Sequence, residues 1–269
     1  MSAALVLYEV RSPAVLLTLN RPDQRNALSR GLIMALVDAF RRAAEDQAAR
    51  CVILTGAGSV FCAGMDLAEL SEALDQQNAS STASSTEHTI WEDAYRLSKL
   101  LDQIYRLPKP TIAAVNGAAV AGGAGLMTVC DLAVAAPEAR LGYPEVRRGL
   151  VAAMVMPHLL RHVGERIARQ LLLTGELIGA AEACRVGLIN AIAPRERLLE
   201  QTQVWARQLA EGGPNALANT KALLQRFSRQ ALSVEEAAQA SAAPRVTEEC
   251  KEGLRSFFAK RPAPWVIPP

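Results

Sequence analysis

Residues 111–136 read TIAAVNGAAVAGGAGLMTVCDLAVAA, and the fold turns on how this run is broken. Its length would allow it to cross a bilayer. Asn116, four glycines and Asp131 interrupt it, however, and many of the remaining residues are alanines. A strand over TIAAV (111–115), a turn at Asn116-Gly117, a helix from about Gly122 to Cys130 and a strand over DLAVAA (131–136) account for the breaks. The run is therefore expected to be a buried strand-turn-helix-strand unit of a soluble α/β core.

The pattern repeats upstream. ALVLYEV and AVLLTL are β-rich runs separated by Arg11-Ser12-Pro13, a turn signal. RPDQRNALS is a polar loop whose Ser29 can cap a helix, and Ile33, Leu36, Val37 and Phe40 fall at helical spacing behind it. CVILT (51–55) is a short apolar strand, followed by the Gly-rich crossover GAGSVFCAGMDL. Lys109-Pro110 closes a helix expected from about Glu87 to Leu107. The alternation of such apolar strands with helices argues for an α/β core with largely buried strands.

Downstream the character changes. Segments 195–211, 215–230, 233–243 and 246–260 carry helical patterns with no strand between them, and RPAPWVIPP is too proline-rich to continue a helix. The chain is expected to divide into a core over 1–194 and a helical part over 195–269. Residues 75–89, DQQNASSTASSTEHT, read as a polar loop, either a lid or a solvated linker.

Composition narrows the function. Half of the residues are hydrophobic, mainly Ala, Leu and Val, which is enough for a large core and excludes global disorder. The 29 basic and 27 acidic residues nearly cancel, so neither a nucleic-acid nor an anionic-membrane surface is expected. Five scattered cysteines with no CxxC spacing read as reduced thiols of a cytoplasmic protein. MSAALVLYEVRSPAV lacks a cationic start before an apolar run, so no export signal is expected. Asn78-Ala79-Ser80 matches a glycosylation sequon, which a cytoplasmic location would leave unused.

Several chemistries lack their residues. His158 and His162 share a helix face, but no HExxH or third ligand accompanies them, so they read as surface or packing residues and no metal is expected. GxGxxG, the P-loop and G-x-S-x-G are absent, which argues against a nicotinamide oxidoreductase, a nucleotide hydrolase and a serine hydrolase. Two small-residue turns remain, Phe61-Cys62-Ala63-Gly64-Met65-Asp66 and Ala121-Gly122-Gly123. Each can present backbone N–H groups, and two such donors converging on one point make an oxyanion hole. The alternative is that these glycines serve tight packing alone.

In this order and spacing, LTLNRPDQRNALS (17–29), VILTGAGSVFCAGMDL (52–67), residues 110–146, LLLTGELIGAAEACRVGLIN (171–190) and KEGLRSFFAKR (251–261) resemble the crotonase superfamily, also called the enoyl-CoA hydratase/isomerase family. The resemblance covers nearly the whole chain. It implies an α/β spiral of ββα repeats with a C-terminal helical region used for trimerisation. It also implies an acyl-CoA thioester substrate whose carbonyl is polarised by the backbone N–H groups of Met65 and Gly122. Coenzyme A would be part of the substrate and no further cofactor is expected. The protein would be a homotrimer or a dimer of trimers.

The acid/base residues depart from the family pattern. The best-known hydratases of the family use two glutamates. The second is present as Glu145 in Gly142-Tyr143-Pro144-Glu145, while the first aligns with Gly125, which has no side chain. A glycine-containing motif near the water site is replaced by Leu150-Val151-Ala152-Ala153. Glu145-Val146-Arg147-Arg148-Gly149-Leu150 is similar to a stretch of 3-methylglutaconyl-CoA hydratases, some of which also lack the first glutamate. Three functions follow: hydration of a 2-enoyl-CoA by Glu145 alone, Δ3,Δ2-isomerisation by the same residue, or acyl-CoA binding without catalysis. Glu145 could instead cap a turn or pair with Arg147 or Arg148, and Glu69, Glu72, Glu92 or Asp93 could supply a second acid. For CoA the resemblance implies Arg25 and Ala27 in the first loop, Ala63, Asp66 and Leu67 in the crossover, and Phe257 and Lys260 in the F-x-x-K pattern.

Overall fold

The computed structural model describes residues 4–79, 83–227 and 233–263. In chain order the elements are β1 (Val6–Arg11), β2 (Ala14–Leu19), α1 (Arg30–Glu45), β3 (Cys51–Gly56), α2 (Leu67–Ala79), α3 (Ala83–Arg106) and β4 (Thr111–Val115). Then come β5 (Ala119–Val120), α4 (Gly122–Thr128), β6 (Leu132–Ala135), β7 (Arg140–Gly142), α5 (Met156–Thr174), β8 (Leu177–Gly179), α6 (Ala180–Arg185) and β9 (Ala191–Ile192). Helices α7 (Leu198–Glu211), α8 (Pro214–Phe227), α9 (Val234–Ala242) and α10 (Glu248–Phe258) follow.

Six strands form one sheet in the order β1-β2-β3-β4-β6-β9, and β5-β7-β8 form a second. Only β1 runs antiparallel in the larger sheet; β2, β3, β4, β6 and β9 are parallel. The chain alternates between the sheets. β4 enters the first and β5 the second before α4; β6 and β7 do the same before α5. An isolated parallel bridge, Cys62 to Ala119, gives the crossover after β3 the same role. This is the ββα progression that the family resemblance implies.

Register explains the continuous apolar strands. Leu17, Leu54, Ala113 and Ala133 lie opposite one another across four strands, in the core shared with α1, α3 and α4. Their neighbours Leu16, Ile53 and Ile112 face the other way, against Ala206, Trp205 and Leu209 of α7. Helix α7 thus covers the far face, so neither face of a central strand meets water. Asp131 ties α8 to this layer, accepting from Lys221 Nζ at 2.6 Å and from the Thr111 amide at 2.7 Å.

The run 111–136 forms β4, β5, α4 and β6, and among the described residues no helix is long and apolar enough to cross a membrane. The loop expected over 75–89 is a misreading on both flanks: α2 continues through Ala79 and α3 begins at Ala83. Residues 80–82 lie outside the described residues, as does most of RPAPWVIPP. The polar stretch hides a helix start because the apolar stripe of α3 begins only at Ile90, continuing through Ala94, Leu97, Leu101 and Ile104. All five cysteines are free thiols, four of them buried. His158 stacks edge-on against Tyr105 at 4.7 Å, and burial pushes its pKa down to about 3. His162 Nε2 lies 2.9 Å from the Thr128 carbonyl oxygen. Both are packing residues.

Candidate active site

The two small-residue turns meet. Buried Asn26 holds the crossover in place, its amide nitrogen donating to the carbonyls of Ala57, Val60 and Phe61. Asn116 does so from the end of β4, donating to Gly56 and Gly58. Gly64 then takes φ +90, a conformation that residues with a Cβ rarely adopt. A Cβ there would lie 2.7 Å from the Val120 oxygen and 3.3 Å from the Gly122 nitrogen. On the facing turn Ala121 has φ 52, ψ −124, an outlier of the kind that concentrates at functional sites. Gly122 opens α4, so its N–H has no partner within the helix. The Met65 nitrogen lies 3.8 Å from where a Gly122 Cβ would be. Among the described residues neither the Met65 nor the Gly122 N–H meets an acceptor, and both residues border one cavity of about 480 Å³.

Glu145 borders the same cavity, in a 3-10 turn over Pro144–Arg148. The turn is fixed to α4 through fully buried Tyr143, whose hydroxyl is 2.5 Å from Thr128 Oγ1. Because Thr128 Oγ1 donates to the Ala124 oxygen, Tyr143 is the donor in that pair. Glu145 is half-buried as a residue, but its Oε2 is sealed and, among the described residues, has no hydrogen-bond partner. Burial raises its pKa to about 7, against the lowering pull of a backbone N–H, Arg148 and Arg245. Neither Arg147 nor Arg148 pairs with it. Arg147 donates to the Thr174 oxygen, and Arg148 lies over the Phe257 ring at 4.5 Å. A turn-capping or ion-pairing role for Glu145 finds no support in this geometry.

Apolar packing fills the space beside Gly125. A Cβ there would lie 2.5 Å from Val155 Cγ1 and 3.7 Å from Leu101 Cδ1. No second carboxylate replaces the missing one: Glu145 is the only acidic residue among the described residues lining the cavity. Glu69 accepts from the Arg30 amide, Asp93 pairs with Arg30 and Arg96, and Glu92 pairs with Arg96. None of these, nor Glu72, borders the cavity. Gly125→Ala is accordingly expected to lower stability by about 1–3 kcal/mol through overpacking, with most of the loss recovered when Val155→Ala is added. Chemical denaturation of the single and double variants measures this.

A model of the enoyl-CoA hydratase/isomerase family matches residues 10–267. A Thermus thermophilus relative is 44% identical over 252 residues, covering 91% of this chain and 94% of that one. The chain belongs to the enoyl-CoA hydratase/isomerase family. The 2,3-dehydroadipyl-CoA hydratase of Escherichia coli is 34% identical over 264 residues, covering 97% of each chain. The crystal structure of an enoyl-CoA hydratase from Mycobacterium avium superimposes with a TM-score of 0.82 at 34% identity, covering 98% of this chain and all of the other.

Within this family member, eight of the ten site residues expected from sequence line one cavity: Arg25, Ala27, Ala63, Met65, Leu67, Gly122, Glu145 and Phe257. Asp66 and Lys260 do not. Asp66 pairs with Arg21 at 3.1 Å beside the crossover, and Lys260 is exposed just past the end of α10 with φ 52. Sequence reasoning missed Arg148, Ser241 and Arg245, which also line the cavity. Arg148 stood in view next to the Pro-Glu pair. Nothing in the Ala-rich stretch before Pro244 marks Ser241 or Arg245, because tertiary packing brings them inward.

Proposed function

We propose that this protein adds water reversibly across the 2,3 double bond of a 2-enoyl-CoA. The observation that carries the reading is the meeting, in one cavity, of two unpartnered backbone N–H groups and one unpaired glutamate. The thioester oxygen would accept from the Met65 and Gly122 N–H groups. As hydroxide adds to C3, negative charge moves onto that oxygen, and each preorganised donor is worth roughly 3–4 kcal/mol to such a step. Glu145 takes the proton from the attacking water and returns it to C2. The C2–C3 π bond and one O–H bond break, and a C3–O and a C2–H bond form. A carboxyl with a pKa of about 7 can serve in both roles at neutral pH.

Arg25, Ala27, Ala63, Leu67 and Phe257 are proposed to hold the pantetheine and adenine parts of CoA, with exposed Lys260 as a phosphate partner and Asp66 shaping the crossover. CoA arrives as part of the substrate, and the reading calls on no other cofactor. A homotrimer or dimer of trimers is the proposed assembly, read directly by analytical ultracentrifugation.

The filled space beside Gly125 favours a second reading, Δ3,Δ2-isomerisation, which needs one carboxylate and no activated water. A panel of 2-enoyl-, 3-enoyl- and 3-methylglutaconyl-CoA followed by mass spectrometry separates the two. Hydration adds the mass of water, while double-bond migration leaves the mass unchanged. Mass-neutral turnover of 3-enoyl-CoA without hydration of any 2-enoyl-CoA would replace the first reading with the second.

The pH dependence has a defined sign. Either direction of the hydration starts from ionised Glu145, which must first accept a proton. As a result kcat/KM is expected to rise through about pH 7 and then level, falling about tenfold per unit on the acid side. A kcat/KM flat across the neutral range would remove Glu145 as the titrating base.

A further inference from the structure

Arg245, in the turn after α9, is 3% exposed, and Ser241, on the last turn of α9, is also 3% exposed. The proposed chemistry uses neither, yet both border the cavity that holds Glu145, Met65 and Gly122. Among the described residues the Arg245 guanidinium makes one hydrogen bond, from Nη2 to Ser241 Oγ at 2.8 Å. Among the described residues no carboxylate pairs with it. Asp93, which lines a smaller chamber with it, is occupied by Arg30 at 2.7 Å and Arg96 at 2.9 Å. Burial lowers the pKa of Arg245 to about 10, which still leaves it cationic at neutral pH.

A guanidinium this deeply buried is costly to keep without a counter-charge, and it offers several donors in a fixed planar fork. Its position says which part of a ligand it would meet. Arg245 also lines a small side chamber together with Met65, Leu97 and Asp93. Of the residues expected to hold CoA, Asp66 lines that chamber but is paired with Arg21, while Arg25, Ala27, Ala63, Leu67 and Phe257 do not reach it. Arg245 thus reaches from the main cavity into a chamber that most of the CoA residues do not enter, which is the side on which an acyl chain would extend past the Met65 donor.

We infer that Arg245 and Ser241 form an anion-binding end to the acyl subsite, and that the preferred substrate is a 2-enoyl-CoA whose acyl chain terminates in a carboxylate. The inference rests on reading the cavity as an acyl-CoA site. A terminal carboxylate would form charge-assisted hydrogen bonds with the guanidinium fork. A methyl end in the same place would exclude water and leave the charge unpaired, which is how a polar site rejects an apolar analogue.

The test compares ligands of equal length on the intact protein. Calorimetric Kd values are measured for succinyl-, glutaryl- and adipoyl-CoA against butanoyl-, pentanoyl- and hexanoyl-CoA. At the length that fits, the carboxylate-ended ligand is expected to bind at least about tenfold more tightly, and Arg245→Met is expected to abolish that preference. In turnover, Arg245→Met should lower kcat/KM on the matching carboxylate-ended 2-enoyl-CoA by about 10²-fold while changing the methyl-ended one far less. Equal affinities within every pair for the unaltered protein would overturn the inference, whether or not the variant folds. An Arg245→Met variant that shifts the pH profile but keeps the carboxylate preference would overturn it too, since the residue would then act only on Glu145. Retained preference in binding without water addition to any 2-enoyl-CoA would instead sink the hydration reading alone.

Discussion

Glu145→Gln is expected to lower kcat for water addition by about 10²-fold or more, the usual scale for a positioned acid/base. Gln keeps the shape of the side chain and removes both the proton and the charge. Acyl-CoA affinity should persist, because among the described residues Oε2 accepts no hydrogen bond that would hold the cavity wall. Loss of fold is not an available explanation for such a result. Burial raises the folded pKa of Glu145 to about 7, well above the ordinary range of a glutamate carboxyl. A raised carboxyl pKa means the fold prefers the neutral form. Its contribution to stability is fully present below the unfolded value and is lost as pH rises through about 7. At about pH 8 the variant should therefore be more stable than the parent, by roughly 3 kcal/mol, and the difference should vanish near pH 4. Denaturant titrations at the two pH values check this. A variant with unchanged turnover would take Glu145 out of the mechanism.

Gly64→Ala is expected to cost about 10²–10³-fold in kcat, the scale found when an oxyanion donor is lost. Two effects converge on this residue. Its φ of +90 disfavours any Cβ, and the added atom would lie 2.7 Å from the Val120 oxygen and 2.9 Å from Ala121 Cβ. Both contacts are with the facing turn, so relief comes by pushing the turns apart. The Met65 and Gly122 N–H groups then no longer aim at one point. Donors that matter mainly in the transition state lower kcat more than they raise KM when lost. A rise in KM with kcat retained would mean that the turns bind CoA without stabilising developing charge. The variant should also lose about 1–3 kcal/mol of stability, so kinetics are best compared at a temperature where both proteins are fully folded.

Much of this arrangement was legible from residues. The four central strands are short apolar runs, and a parallel sheet buried on both faces leaves them no other pattern. Ser29 accepts the Leu32 amide at the start of α1, the capping role its position suggested. Strands β5, β7, β8 and β9 were not legible on their own. Each has two or three residues, too few to display alternation; β5, β7 and β8 are held by one another as the second sheet, and β9 by β6 at the edge of the first. Helix α3 begins before its apolar stripe, at Ala83, so its first turns carry no helical signal in the sequence. The absence of a carboxylate at Gly125 was plain in the sequence, while its replacement by Val155 depends on a residue thirty positions further along the chain. Arg245 lay beyond local inference, since only the packing of α9 and α10 against the cavity gives an arginine in an Ala-Pro turn its burial.

The central claim places one oxygen between two amides and one carboxyl beside the adjacent carbons. A crystal structure of Glu145→Gln with a bound 2-enoyl-CoA tests it most directly. The expected result is a thioester oxygen at roughly 2.7–3.1 Å from both the Met65 and Gly122 nitrogens, with the side chain at position 145 beside C2 and C3. A thioester turned away from either amide, or C2 and C3 out of reach of position 145, would contradict it.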